Sequence, residues 1–234
     1  MTLFALVHGG AHGGWCWELL VPELEARGHW AVTPDLPLED PSAGVEAWAR
    51  TVWNAIDAFQ PGAEGRDIVV VGHSLAGLAL PVIASMRPVR RLVFLGAMVP
   101  VPGRAYADYL ADEPGAVIFD GSVRPGDEVG DGPISWRAAR EGFYQDCPEP
   151  LARAAWRRLR PQSDTVFTER CPIDRWPDVP STYILMTEDR AVGQEWSRRV
   201  ARERLAAQLI ELPGGHSPFY SRPVELAQVL TSLQ

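Results

Sequence analysis

The segment Asp67-Ile68-Val69-Val70-Val71-Gly72-His73-Ser74-Leu75-Ala76-Gly77 constrains this chain more than any other. An uninterrupted run of β-branched apolar residues reads as a strand buried on both faces, which occurs in parallel sheets. The Leu- and Ala-rich stretch Leu75–Met86 reads as the helix that follows. A serine set between such a strand and such a helix occupies a nucleophile elbow, a turn so sharp that it demands small neighbours and lifts the hydroxyl above the sheet. Gly72 meets that demand. Ala76 stands where G-x-S-x-G would place its second glycine, so the pattern departs by one methyl group.

The rest of the chain repeats the alternation. Short apolar runs near Leu3–Val7, Trp30–Thr33, Asp67–Val71, Arg91–Leu95, Thr182–Met186 and Gln208–Leu212 read as strands. Helical patterns lie between them, at Trp15–Arg27, Gly44–Phe59 and Val192–Leu205, with a last helix from Pro223 to Leu233. Strand–helix alternation of this kind predicts an α/β fold with a mostly parallel sheet of about six strands and flanking helices. At 234 residues, one domain spanning 1–234 is expected. The segment from about 100 to 180 breaks the rhythm: it is rich in proline, glycine and aromatic residues and carries short helical patches at Ser135–Tyr144 and Glu149–Leu159. It reads as a helical cap inserted between two late strands, with aromatic side chains walling an apolar pocket. Trp136 and Tyr144 are candidates for that wall, with His12 from the first loop.

A serine nucleophile needs a base to accept its proton and a carboxylate to fix the base's tautomer. In folds with this elbow the chain order is serine, acid, histidine. Asp189, after the fifth strand, and His216, in Pro213-Gly214-Gly215-His216-Ser217-Pro218 after the sixth, stand in that order at carboxyl ends of strands. Glu188 is a rival acid, and Asp35 precedes the serine and reads as a turn residue. An oxyanion requires two backbone N–H donors. One is Leu75, the residue after the nucleophile, and the other comes from the loop His8-Gly9-Gly10-Ala11-His12-Gly13-Gly14. That loop lacks the G-x-G-x-x-G spacing of a dinucleotide site, and His8 and His12 have no spaced third ligand, so neither cofactor nor metal is expected.

Composition excludes several classes. The net charge of −8 disfavours nucleic acid and anionic membranes as partners. No stretch has the length of a membrane span. Met1-Thr2-Leu3-Phe4 enters a strand without a basic leader, and three cysteines without metal spacing suit a reducing compartment, so a cytoplasmic location is expected. All 22 basic residues are arginine, which removes Schiff-base and lysine-dependent chemistry. A homodimer through the exposed side of the cap stays open.

These motifs together resemble the α/β-hydrolase superfamily, in particular the branch of plant methylesterases and hydroxynitrile lyases and their bacterial relatives. The resemblance is carried by His8–Gly14 with Trp15-Cys16-Trp17, by Gly72-His73-Ser74-Leu75, by Thr187-Glu188-Asp189 and by Gly214–Pro218. Phe143-Tyr144-Gln145-Asp146-Cys147-Pro148 and Leu159-Arg160-Pro161-Gln162 look like the bacterial members. The resemblance covers nearly the whole chain. It implies Ser74 as nucleophile, His216 as base, Asp189 as orienting acid, N–H donors at Gly10 and Leu75, a helical cap and no cofactor. The expected activity is hydrolysis of a carboxylic ester of a small apolar, aromatic acid through an acyl-enzyme. A thioesterase, lactonase, carbon–carbon lyase or ligand receptor on the same site is the alternative. The hydroxynitrile lyases of this branch place a lysine after the histidine; Ser217 stands there, which argues against cyanohydrin cleavage.

Overall fold

A computed structural model describes residues 1–59 and 67–233. Six parallel strands form one sheet: β1 (Leu3–Val7), β2 (Trp30–Val32), β3 (Ile68–His73), β4 (Arg91–Leu95), β5 (Ser181–Met186) and β6 (Gln208–Leu212). Their order across the sheet is β2-β1-β3-β4-β5-β6. The chain therefore winds outward from β1 to β2, crosses back over β1 to β3, and continues the other way. The carboxyl ends of β1 and β3 flank this switch point, where crevices open in such sheets.

Side chains alternate across the sheet with the period of two that extended backbone imposes. Leu3, Ala5 and Val7 of β1, with Ile68 and Val70 of β3, face one layer; Phe4, Leu6, Val69 and Val71 face the other. The first layer is covered by α2 (Val45–Phe59), α3 (Leu80–Met86) and α8 (Gln194–Glu203). Val45, Trp48, Ala49, Val52, Trp53 and Ile56 give α2 one buried apolar stripe. Its N-terminal amide at Val45 donates to the Glu169 carboxylate (2.5 Å), and Gly44 leaves room for that carboxylate, since a Cβ there would lie 2.1 Å from its Oε2. The second layer holds α1 (Leu20–Glu25) and α10 (Pro223–Ser232), with α9 (Pro218–Ser221) leading into the latter.

Two expected helices are each split by a proline. Trp15–Arg27 becomes a 3-10 turn at Gly14–Trp17 and then α1; Leu75–Met86 becomes a 3-10 turn at Ser74–Leu78 and then α3. Pro22 and Pro81 have no N–H to donate to the carbonyls of Glu18 and Gly77, so the hydrogen-bond ladder restarts at each.

Between β4 and β5 the chain forms α4 (Tyr106–Leu110), α5 (Trp136–Gly142), α6 (Glu149–Trp156) and α7 (Thr165–Thr168). Ser135 caps α5, its hydroxyl accepting from the Ala138 amide at 3.2 Å. Buried residues of this segment divide between the two sheet layers: Tyr106, Tyr109 and Val166 join the first, Phe143, Tyr144 and Trp156 the second. Among the described residues no helix is long and apolar enough to cross a membrane.

Candidate active site

Ser74 follows β3 with φ +51°, a left-handed conformation costly for a residue with a side chain. Its neighbours leave it little alternative. Its carbonyl accepts from the Met98 amide at 2.9 Å. A Cβ on Gly9 would lie 2.9 Å from the Ser74 Cβ, and one on Gly72 would lie 2.8 Å from the Leu80 side chain. The close approach on the helical side falls at Gly77, where a Cβ would come within 2.0 Å of the Met98 carbonyl oxygen. Ala76 is fully buried and its methyl group is accommodated in the first sheet layer, so the one-residue departure from the elbow pattern is absorbed.

Asp189 and His216 meet from two different loops. The His216 Nδ1 lies 2.8 Å from Asp189 Oδ2, with both side chains buried. The other carboxylate oxygen accepts from the amides of Ala191 (2.7 Å) and Val192 (3.0 Å), which fixes the carboxylate's plane. A carboxylate only accepts, so the shared proton belongs on Nδ1, and Nε2 of a neutral His216 keeps a lone pair. Gly96, at φ +48°, permits this pairing, because a Cβ there would sit 3.0 Å from Asp189 Oδ2. Glu188 instead turns to the Gly214 amide (3.3 Å), and Asp35 accepts from the Gly14 amide (2.8 Å); neither reaches the histidine.

Two further histidines, which spacing alone had not marked as site residues, brace this arrangement. His73 donates from Nε2 to the His216 carbonyl (2.9 Å), with ring centroids 4.5 Å apart, and burial holds it well below the ordinary imidazole range. His8 donates from Nδ1 to the Gly9 carbonyl (2.9 Å) and accepts the Leu36 amide at Nε2 (2.9 Å). Burial lowers its pKa to about 4. Because the peptide is planar and trans, fixing the Gly9 carbonyl turns the Gly10 N–H to the opposite side.

Gly10, Ser74 and Leu75 border one cavity of about 300 Å³. Its apolar wall comes from Met98, Val117, Phe119, Phe143, Phe167 and Val192. Gln162 supplies a polar edge and accepts the Ala11 amide at 3.2 Å. The structure thus brings Ser74, Gly10 and Leu75 to the cavity and joins Asp189 to His216, but it places His12, Trp136 and Tyr144 away from the cavity lining. His12 and Tyr144 are buried and hydrogen-bonded to each other (2.8 Å) on the second sheet layer. Trp136 turns toward α6, against Trp156 (5.7 Å) and beneath the Arg153 guanidinium (4.3 Å). The aromatic wall exists, but its rings are Phe119, Phe143 and Phe167. Phe143 lines the cavity while Tyr144, the next residue, meets His12, and nothing in the sequence separates the two.

Comparison with known proteins agrees with this architecture. A pyrethroid hydrolase of Sphingobium wenxiniae is 29% identical over 247 residues, covering 98% of this chain and 86% of the relative. Salicylic acid-binding protein 2 of Nicotiana tabacum is 27% identical over 250 residues, covering 98% and 96%. Among solved structures, a pyrethroid hydrolase from Sphingobium faniae superposes with TM-score 0.78 at 26% identity, covering 99% of this chain and 96% of the other. Polyneuridine aldehyde esterase superposes with TM-score 0.78 at 22% identity, covering 100% and 99%, a likeness of fold. The family model for the alpha/beta hydrolase family matches residues 4–229, from within β1 to within α10 and so through all six strands and the loops that carry Ser74, Asp189 and His216; the chain belongs to that family.

Proposed function

We propose that this chain is an esterase that cleaves carboxylic esters of small apolar, aryl-bearing substrates through an acyl-enzyme on Ser74. The observation that carries this reading is the hydrogen-bonded Asp189–His216 pair, together with a left-handed serine that lines one apolar cavity with Gly10 and Leu75. His216 Nε2 accepts the serine proton as Oγ attacks the carbonyl carbon. The N–H groups of Gly10 and Leu75 hold the oxyanion, each donor of this kind contributing about 10²–10³ in rate. His216 then protonates the leaving alcohol, and a water activated by the same base releases the acid. Asp189 holds the imidazole in the one useful tautomer and stabilises its charged form.

The substrate class follows from the wall. Three phenylalanines and Met98 offer polarisable surface to a ring, and among the described residues no arginine lines the cavity to hold a free carboxylate. The names of the relatives, a pyrethroid hydrolase and a salicylic acid-binding protein, are in keeping with this class. In this reading residues 1–234 form one domain, with 100–180 as the cap over the acyl site. Lyase chemistry of the lysine-dependent kind is disfavoured because the chain has no lysine. The test is steady-state hydrolysis of a series of aryl esters by wild type and Ser74→Ala. Turnover that depends on Ser74 and varies with acyl size supports the proposal; equal, slow rates for folded wild type and variant refute it.

A further inference from the structure

The run Tyr144-Gln145-Asp146 has no role in the reaction as derived above, yet it touches the loops that carry the oxyanion donor, the acid and the base. The Tyr144 hydroxyl donates to His12 Nε2 (2.8 Å), and His12 Nδ1 donates to the Gly10 carbonyl (2.8 Å), so this side chain reaches the oxyanion loop. The Gln145 side-chain amide donates to the Glu188 carbonyl (2.8 Å), in the loop that carries Asp189. Asp146 Oδ2 accepts the Gly215 amide (2.8 Å), next to His216. Phe143 lines the cavity, and its ring centroid lies 5.7 Å from that of His216. The segment is itself held: the Arg140 guanidinium donates to the carbonyls of Tyr144 and Cys147. The glycines of the base loop are the counterpart of this contact. A Cβ on Gly215 would lie 2.3 Å from Gln145 Nε2, and one on Gly214 would lie 2.7 Å from Asp146 Oδ2.

We infer that Tyr144, Gln145 and Asp146 are positioning residues, three consecutive side chains that each brace a different one of the loops bearing the oxyanion donor, the acid and the base. The inference rests on the proposed function for its kinetic consequences and on the hydrogen bonds alone for its structural ones. Loops that must hold reacting groups within about half an ångström need such support. The order of the contacts makes the variants separable: Asp146 acts on the base, Tyr144 on the oxyanion loop.

The experiment compares Asp146→Leu, Asp146→Asn and Tyr144→Phe in the full chain. It reads kcat and KM on a short aryl ester, thermal midpoints, and the downfield proton resonance of His216 Nδ1–H. Asp146→Leu is expected to lower kcat by about tenfold or more, with KM within about threefold, and to shift or broaden the His216 resonance. Asp146→Asn, which keeps an acceptor for Gly215, restores both. Tyr144→Phe is expected to lower kcat by about tenfold while leaving that resonance in place. The inference is overturned if Asn is as impaired as Leu, if Asp146→Leu changes KM alone, or if Tyr144→Phe disturbs the resonance as strongly as Asp146→Leu. Should Asp146→Leu not fold, Asp146→Ala takes its place and Tyr144→Phe stands independently. Absence of Ser74-dependent turnover in the wild type would remove the proposed function, and the His216 resonance would then decide the positioning role by itself.

Discussion

Lowering the pH from 7 to 5 should unfold this protein's stability margin through two histidines that are buried neutral. His8 gives its Nδ1 proton to the Gly9 carbonyl and uses Nε2 to accept the Leu36 amide. An amide N–H cannot turn round, so a second ring proton would face another donor. His12 lies between the Gly10 carbonyl and the Tyr144 hydroxyl, and burial rather than a fixed donor keeps it neutral. Burial lowers His8 to about 4 and His12 to about 3. In the unfolded chain both titrate near ~6.5. Below that value the unfolded state binds protons that the native state refuses, so stability falls as pH falls from 6.5 toward the native pKa values. Each histidine then costs about 2 kcal/mol at pH 5 relative to pH 7, or about 4 kcal/mol together, against a usual total of about 5–15 kcal/mol. His73, also held neutral by burial, acts in the same sense. Urea unfolding at pH 7, 6 and 5 measures the sum, and His8→Gln isolates one member, because a glutamine amide can also donate and accept but does not titrate. The gap between wild type and His8→Gln should close by about 2 kcal/mol from pH 7 to pH 5. Parallel pH curves for the two proteins would show that His8 does not carry this loss.

Three further outcomes follow from the same contacts. Asp189→Asn should keep the fold but present an amide N–H to His216 Nδ1, driving the ring proton to Nε2 and lowering kcat by about 10³–10⁴, measured on any substrate of the wild type. Gly77→Ala should destabilise by about 3 kcal/mol or more, since its Cβ would meet the Met98 carbonyl oxygen at 2.0 Å; an unchanged urea midpoint would contradict this. Phe143→Ala should enlarge the cavity and shift kcat/KM toward bulkier acyl groups, while lowering stability by about 3 kcal/mol; an unaltered acyl preference would place the acyl group elsewhere.

The parts of the fold legible in the sequence are those that a few adjacent residues determine. Ile68–Val71 can hardly be other than a buried strand, and Gly72 and Ser74 mark the turn after it. Asp189 and His216 were recognisable because each sits at a strand's carboxyl end in a fixed chain order. What escaped was whatever depended on distant partners. The glycine that admits the Met98 carbonyl is Gly77, and nothing local distinguishes it from Ala76. The bracing roles of His8 and His73 depend on the Leu36 amide and the His216 carbonyl, which lie far along the chain. The cavity wall was the least legible feature. Phe119 and Phe167 lie in stretches without periodicity, and Trp136 carried an aromatic signal but is turned to Trp156 and Arg153. Between β4 and β5, side-chain direction is set by packing on the sheet layers rather than by any repeat in the sequence.

In the proposed reaction Ser74 is a nucleophile activated by His216. Its most direct test is labelling with a fluorophosphonate, followed by intact-mass measurement and peptide mapping. One adduct per chain is expected, on Ser74, absent in Ser74→Ala and strongly slowed in His216→Ala. No adduct on folded protein, or an adduct on another residue, would contradict it.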